Sequence, residues 1–535
     1  MEQYGLEELA ASAEAVVAGL GPLAAGLAGL AAEAGRAVTL EAMEALVWER
    51  GRELLCGLVQ LSLDAQAERE VRLPAVTGAD GVPRACAERG HSRTVVTRLG
   101  EVAVSRIGYR SKIKKVPALF PRDAVLNLPP RGYSWALQQL AEMFCRSVSF
   151  EQGHEFVAAA TGVSVGRRQL EQIMVAAASD AERFCQDLDR AAVLQAGQQQ
   201  QQEEEEEEEE EGQEKGLPPL GISADGKGVA MRPEARRPET ARKAAGRPGQ
   251  AFARRLGTGQ KSGSKRIAET GAVFDVLPPD GEQGPRTPEQ IMGRAPGQPA
   301  PDGPRAANRW YIADITASCA ETIAALFDHA ERRDPGHART WIALVDGANH
   351  QIDVITAEAA RRDVTITILI DFIHVIGYLR KAAWCFHPAR DPAAGDWVTA
   401  QGLAILHGRT PEVIARIEAA AAADPPRPGS EHAKIIRTTL TYLRNKQPYL
   451  DYPRALANGW PIATGVIEGA CRHLVQDRMG ITGARWGLEG AQAMLWLRAI
   501  NASGDHDAYW DWHIQQEHQR NHLSRYQDPS LALAA

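Results

Sequence analysis

The chain has 535 residues, of which 44% are hydrophobic and 24% are charged. This length predicts several domains, and this balance excludes a wholly disordered chain, a disulfide-stapled miniprotein and a fibrous repeat. The net charge is −8, but Glu203–Glu211 form one uninterrupted acidic run, without which the chain is close to neutral. The charge therefore does not exclude an anionic partner and has to be analysed locally.

The cysteine pattern and the N-terminus bear on location. Seven cysteines occur singly, with no CxxC pair, which is typical of a reduced intracellular protein and offers no thiolate metal site. The apolar stretch 15–32 approaches the length of a membrane span, but it is mostly Ala and Gly and contains Pro22. It is flanked by acids, where a signal peptide requires positive charge. We therefore expect a soluble, cytoplasmic protein without a membrane segment.

The first part of the chain predicts a helical region, a hairpin region and a helix-turn-helix. Residues 1–75 have helical spacing, and residues 76–125 contain an alternating stretch, Thr94–Arg106, that turns at Leu99-Gly100. Within 126–190, a short amphipathic helix from Phe150 stops at Gly162, and Ser164 is the predicted cap of a second helix. Arg167 and Arg168 begin that second helix, so we expect them to contact DNA. The alternative is a helical hairpin that serves packing alone.

The remainder predicts a linker, an α/β domain and a tail. Residues 191–216 are a Gln/Glu low-complexity linker, and 501–535 form a C-terminal tail. The domain between them, 217–500, alternates strands with helices. A basic stretch from Lys227 to Arg266 holds twelve Lys or Arg and two Glu. Helical patterns fill about 376–458. The predicted strands and helix are Leu217–Asp225, Ile267–Val276, Glu321–Arg333 (helix), Trp341–Asp346 and Val364–Ile370.

Three acids occur at positions where catalytic or metal-binding side chains are expected. Asp225 and Asp346 end apolar strands, and Glu468 begins a later helix. Catalytic groups gather at the carboxyl ends of strands in α/β sheets. Three carboxylates there would suit Mg²⁺, and two ions could drive phosphodiester cleavage. Each acid also has a structural explanation: a turn or cap for the aspartates, a favourable helix dipole for Glu468, and a hydrogen-bonded pair for Asp371 with His374.

Basic residues near these acids are candidate phosphate contacts. For Trp486, base contact at a cleaved end competes with a place in the core beside the next helix. The candidates for DNA contact in this half of the chain are Lys265, Arg266, Arg472, Arg485 and Trp486.

The segment Gly459–Trp486 resembles the C-terminal signature of the ISKra family of bacterial insertion-sequence transposases. The resemblance continues, in the same order over roughly 80–510, in five short motifs: Ser149–Glu151, Ser223–Gly228, Lys265–Ala268, Leu344–Gly347 and Asp371–Val375. It implies a DDE transposase with a ribonuclease-H-like catalytic domain, in which Asp225 is the first catalytic acid and Glu468 the last.

The resemblance leaves the second acid to be chosen. In a ribonuclease-H-like sheet this acid follows the fourth strand, after the crossover helix, which favours Asp346. Asp371 is the alternative second acid. If it is not, Asp371 and His374, three residues on, form a polar pair close to the metals but not bound to them. The helical stretch 376–458 would then be an all-helical insertion before Glu468. A family-type zinc ribbon near 85–115 is degenerate here, since Cys86 stands alone.

The sequence thus predicts a multidomain α+β protein, with a helical and hairpin DNA-binding region followed by a ribonuclease-H-like α/β domain. As implied by the resemblance, it would bind the inverted repeats of its element as a homo-oligomer on double-stranded DNA, also engaging target DNA. Two Mg²⁺ ions, which Mn²⁺ can replace, would serve cleavage and 3′-hydroxyl strand transfer. The alternatives are a transposase-derived DNA-binding protein that does not cut, and another ribonuclease-H-like nuclease.

Overall fold

The computed structural model describes residues 39–188, 217–245, 265–279, 285–293, 302–388, 390–481 and 483–530, with four single positions before residue 39. The predicted linker 191–216, part of the basic stretch and most of the first 38 residues lie outside them. The fold is α+β, as the sequence predicts, and it contains one mixed five-stranded sheet. No helix in these ranges is long and apolar enough to cross a bilayer.

Contacts among the described residues divide the chain into two compact units. The first holds the described residues up to Asp180 and again from Asp507, and the second runs from Ala181 to His506. The elements of the first unit before Asp180 are α1 (Leu40–Glu68), β1 (Val76–Thr77), β2 (Pro83–Arg84), β3 (Cys86–Val96), β4 (Glu101–Arg110), α2 (Pro121–Val125), α3 (Trp135–Ser147), α4 (Phe150–Thr161) and α5 (Arg167–Ala177).

The predicted hairpin is confirmed. Strands β3 and β4 pair antiparallel, with Val96 opposite Glu101 at the turn. Gly100 has φ 143°, a left-handed backbone that favours glycine. Helix α1 lies against β4, where the Gln60 side-chain amide bonds both the N–H and the carbonyl of Ala103 at 2.8 and 2.9 Å. A polar side chain thereby satisfies the backbone at an open strand edge.

The two helices predicted as a helix-turn-helix are present, with one change at the cap. Helix α4 begins with a capping box of Ser149 and Gln152 and ends at Gly162, whose φ is 66°. Helix α5 is capped by Gly166, without a side-chain bond, so the cap predicted at Ser164 is wrong. Both helices contact α3 and each other.

The second unit is built on the sheet β5 (Leu220–Ala230), β6 (Lys265–Leu277), β7 (Arg305–Asp314), β8 (Trp341–Val345) and β9 (Ile366–Ile370). The strand order is β7-β6-β5-β8-β9. Strand β6 is antiparallel to both of its neighbours, whereas β5, β8 and β9 run parallel. Strand β8 is buried along its whole length, as expected for a parallel strand covered on both faces.

The helices of this unit are α6 (Pro238–Ala245), α7 (Pro288–Met292), α8 (Cys319–Arg333), α9 (Asn349–Arg361), α10 (Phe372–Phe386), α11 (Pro392–Leu406), α12 (Thr410–Ala423), α13 (Glu431–Lys446), α14 (Tyr452–Ala457), α15 (Gly465–Ala470), α16 (Asp477–Met479) and α17 (Leu488–Ser503). A π-helical turn, Cys471–Gln476, joins α15 to α16. Helices α10 to α14 occupy the stretch between β9 and α15, which matches the helical patterns predicted over 376–458.

Two strands differ from expectation. Strand β5 does not end at Asp225 but continues to Ala230, because β6 pairs with it over its full length. Strand β7, Arg305–Asp314, was not predicted; it forms the antiparallel edge beyond β6 and has only a short buried run. Its buried residues are consecutive and do not alternate with exposed ones, so the strand lacks the period-two signal of a half-buried strand.

The predicted tail 501–535 is in fact ordered over its described residues. After α17, helix α18 (His506–Asn521) brings the chain back to the first unit. His518 bonds the carbonyl of Ala124 at 2.8 Å, and His522 bonds the carbonyl of Leu128 at 2.7 Å. The C-terminal residues therefore complete the first unit.

Candidate active site

Strand register aligns three acids at one edge of the sheet. Ser223 on β5 lies opposite Leu344 on β8, which lies opposite Leu369 on β9. Alternation within β5 directs Asp225 to the same face as Ser223, whereas Asp346 and Asp371 each directly follow the last residue of their strand. Two positions beyond each member of this line stands an acid: Asp225, Asp346 and Asp371. We call these three the acid row; neighbouring strands place its backbones about 4.8 Å apart.

Glu468 joins the acid row from a helix. It lies in the first turn of α15, which contacts β5 and β6. Its carboxylate, a carboxylate oxygen of Asp371 and a ring nitrogen of His374 lie within 4.8 Å of one another, a spacing that could hold a metal ion. Among the described residues, Asp225 and Asp346 belong to no such set. The four acids therefore share one sheet edge, and the compact group contains the alternative second acid.

Asp225 is held by a cysteine that the sequence did not indicate. One carboxylate oxygen of Asp225 accepts from the N–H of Gly226 at 2.7 Å, and the other lies 3.4 Å from Sγ of Cys471. Burial, followed by the charge of Asp225, raises the pKa of Cys471 to about 12. The thiol therefore stays protonated and donates to the carboxylate, fixing the orientation of Asp225.

Asp346 lies in a tight turn directly after β8. Its carboxylate accepts from the N–H of Ala348 at 2.9 Å, and its carbonyl accepts from the Tyr442 hydroxyl at 3.4 Å. The side chain is half-buried, so it remains accessible to a ligand.

Asp371 has the hydrogen bonding of a structural acid. It is 1% exposed and accepts from the N–H of Ile373 at 2.7 Å, from the Thr464 hydroxyl and from Nδ1 of His374 at 3.4 Å. Burial raises the pKa of Asp371, but these hydrogen bonds outweigh burial and hold it below its ordinary value. Because Thr464 directly precedes α15, this bond ties the helix that carries Glu468 to the end of β9.

The pair of Asp371 and His374 predicts a pH dependence in the metal-free protein. The hydrogen bond that His374 donates to Asp371 raises the pKa of His374, and burial opposes it only in part. A group whose pKa is raised in the folded state contributes its full stabilisation below its unfolded-state pKa, which is about 6.5 for histidine. That stabilisation is lost as the pH rises through the folded-state pKa. His374→Gln should therefore cost most at acidic pH and least at alkaline pH, by no more than about 1 kcal/mol for this half-exposed group.

The measurement is chemical denaturation of the wild-type protein and of His374→Gln, both in EDTA, from acidic to alkaline pH. A cost that stays constant, or that grows as the pH rises, would contradict the assignment of a charged His374.

Glu269 is a further acid that the sequence analysis missed. It lies opposite Gly226 on β6, so alternation directs it to the face of the sheet opposite Asp225. Burial raises its pKa, Arg237 lowers it, and the charge of Asp225 raises it further. A glutamate inside a strand next to Thr and Gly carries no motif, so only the strand pairing reveals it.

The basic residues that were predicted to contact phosphates differ in their exposure. Lys265, Arg472 and Arg485 are exposed, and Arg472 lies 3.7 Å from Asp477. Arg266 is half-buried and donates to the carbonyl of Ile315 at 2.7 Å, so it holds the fold in place.

The structure places Trp486 in the core, which corrects its assignment as a DNA contact. The residue is 7% exposed, and its indole N–H donates to the carbonyl of Met479 at 3.2 Å. Its backbone N–H bonds the carbonyl of Ala230 at 3.0 Å, so it lies at the end of β5. The Arg478 guanidinium covers the ring at 4.9 Å. No face of that ring is presented for base stacking.

A second set of potential metal ligands lies in the first unit: Asp180, His513 and Glu517. Nδ1 of His513 lies 2.8 Å from Asp180, and Arg520 pairs with both Asp180 and Glu517. The guanidinium already pairs with both acids, so the cluster is explained as an ion-pair network that fastens α18. No protein-family model matches the chain, and no curated protein matches it.

Proposed function

We propose that the protein is a DDE-type transposase that cuts and joins DNA at the acid row, with Asp225, Asp346 and Glu468 as its catalytic acids. The observation that carries this proposal is the register: Asp225 on β5 and Asp346 directly after β8 follow paired residues of two parallel strands, and α15, which carries Glu468, contacts β5. Carboxylates at the carboxyl end of parallel strands form a site for oxygen-preferring cations.

The sheet supports a ribonuclease-H-like domain. Numbered within the unit, its strands follow the order 3-2-1-4-5, with the second antiparallel to the first and third. The first and fourth strands carry the two aspartates, and helices α10 to α14 come between the fifth strand and Glu468. This arrangement is the one that the resemblance to ISKra transposases implies.

We infer that these carboxylates bind two Mg²⁺ ions, or Mn²⁺ in their place. The donors are carboxylates, Asp346 is half-buried and Glu468 is exposed, so oxygens remain available for hard cations that also keep water. Bound divalent ions would activate a water or a 3′-hydroxyl and neutralise the leaving oxygen. The chain itself supplies orientation: Cys471 fixes Asp225, the turn at Ala348 fixes Asp346, and Asp371 anchors α15 through Thr464.

The first unit would bind the ends of the element, through the start of α5. Arg167 and Arg168 are both exposed, and Arg167 pairs with Glu151 on α4. Both lie in the first turn of a helix that two others support, which suits contact with phosphates or base edges. We propose that the protein binds double-stranded inverted repeats and target DNA as a homo-oligomer.

Replacing both arginines with Ala is expected to weaken binding to the element's end and to lower the slope of log affinity against log salt by about 2, one phosphate for each arginine. Fluorescence anisotropy over a range of salt concentrations measures both effects. Arg50→Ala, at an exposed arginine on α1 that pairs with Glu53, is the matched control. An unchanged slope in the double variant would reduce α4 and α5 to a packing unit.

The proposal is tested by incubating the protein with a labelled duplex of the DNA that flanks its gene. Strand cleavage that requires Mg²⁺ and stops in EDTA is the expected result. Specific binding without cleavage would instead favour a transposase-derived DNA-binding protein.

A further inference from the structure

A cleft of about 520 Å³ opens at Asp346, and the residues that line it include neither Asp225 nor Asp371. One wall is the turn after β8, from Asp346 to Asn349. The other wall is the C-terminal half of α13, and His374 and Tyr378 of α10 complete it. All of these residues belong to the second unit. The cleft is therefore continuous with the proposed catalytic edge.

A buried lysine lines this cleft. Lys446 is 5% exposed, and its ammonium donates to the side-chain carbonyl of Asn349. An ammonium has three donors, and Asn349 is the one hydrogen-bond acceptor that the described residues give it. Burial lowers the pKa of Lys446, while the charges of Asp353 and Asp346 raise it. A buried cation with donors to spare is suited to an anion in the cleft.

The rest of the α13 wall is polar and carries no acid. Arg437 supplies a second cation and is exposed. This wall presents two hydroxyls and an amide that can bond sugar and base edges: Thr438, Thr441 and Asn445. Among the described residues that line the cleft, Asp346 on the opposite wall is the one carboxylate. Hydroxyls and amides next to cations are the groups that contact nucleic-acid backbones.

Tyr442 couples this wall to the acid row. Its ring stacks on Tyr378, with 3.9 Å between centroids and 17° between planes, and its hydroxyl donates to the carbonyl of Asp346. Gly347 has φ 94°, and a Cβ there would lie 3.0 Å from the Tyr442 hydroxyl. Only glycine allows this approach, so the cleft has a fixed position relative to Asp346.

We propose that the cleft binds a single-stranded segment of DNA next to the bond that is cut, with Lys446 and Arg437 on its phosphates. The inference rests on the proposed function and deepens it by assigning a subsite for the strand. The cleft volume lies within the range of about 300–1,000 Å³ that is typical of small-ligand sites, which suits part of a single strand better than a whole duplex. A phosphate held by Lys446 would place the neighbouring phosphodiester toward Asp346.

The experiment measures binding apart from cleavage. The full chain carrying Glu468→Gln is titrated with a short fluorescein-labelled single strand of mixed sequence, and with the same sequence as a blunt duplex, in Ca²⁺ at several salt concentrations. Lys446→Met, which keeps the apolar stem, is expected to weaken single-strand binding about tenfold, as for loss of a hydrogen bond to a charged group. The salt slope should fall by about 0.7, one phosphate of a single strand. The duplex, bound by the first unit, should lose much less.

Two further variants make the result decisive. Arg437→Gln removes an exposed cation, so it tests the cleft even if Lys446→Met unfolds, and it should also lower the single-strand slope. Arg416→Gln, on α12 and paired with Glu412 outside the cleft, should change nothing. The subsite would be overturned if all variants bound the single strand with equal affinity. It would also be overturned if Arg416→Gln lost as much single-strand affinity as Lys446→Met, or if Lys446→Met lost as much affinity for the duplex as for the single strand. A wild-type protein that never cuts DNA would refute the proposed function, yet would leave this binding difference intact.

Discussion

Glu468→Gln and Asp225→Asn are each expected to lower Mg²⁺-dependent cleavage by about 10³-fold, because a bound metal ion supplies several kcal/mol of transition-state stabilisation. Both changes keep the shape of the side chain and remove the negative charge that holds the cation. DNA affinity should change little, since it comes from cations elsewhere in the chain. Single-turnover cleavage of a labelled element end, with anisotropy on the same DNA, measures both quantities.

Glu489→Gln is the matched control for these variants. Glu489 is also an exposed acid in the first turn of a helix, α17, and the same chemical change there should leave cleavage intact. Wild-type rates in Glu468→Gln would remove α15 from the catalytic site. A loss shared by Glu489→Gln would point to general electrostatics instead of metal binding.

Asp346→Asn and Asp371→Asn are expected to fail in different ways. Asp371 accepts three hydrogen bonds in a buried position, and bonds to a charged group contribute about 1.5–3 kcal/mol each. Asp371→Asn should therefore lower the free energy of unfolding by about 2 kcal/mol or more. Asp346→Asn should keep its bond from Ala348, unfold normally and lose cleavage.

Urea denaturation and the cleavage assay, run on both variants, separate stability from catalysis. Cleavage by Asp371→Asn should scale with the fraction that is folded. An Asp346→Asn protein that cuts normally, beside a folded Asp371→Asn protein that does not, would make Asp371 the second acid. The compact group of Asp371, His374 and Glu468 would then be the metal site.

Part of this architecture could be predicted from local pattern. Strand β8 is a run of five buried apolar residues that an acid directly follows, and α8 has both a capping box and an amphipathic face. Such signals need no tertiary information. The hairpin turn at Gly100 was found in the same way, since its glycine provides the backbone conformation that the turn requires.

The supporting contacts could not be predicted, because they join distant parts of the chain. Thr464 and Asp371 are 93 residues apart, and Cys471 and Asp225 are 246 apart. Neither pair has a spacing that any secondary structure fixes. The same reason explains the return of α18, where His513 meets Asp180 across 333 residues. Trp486 was misassigned because its neighbours in sequence do not show that it lies at the end of β5.

The location of bound metal decides whether the acid row is the catalytic site. Crystals of the wild-type protein soaked in Mn²⁺, at a concentration that supports cleavage, can be measured at the manganese absorption edge. We expect anomalous density at the acid row, ligated by Asp225, Asp346 and Glu468, and its loss in Glu468→Gln. Mn²⁺-dependent cleavage with no anomalous density at this edge of the sheet would contradict this expectation.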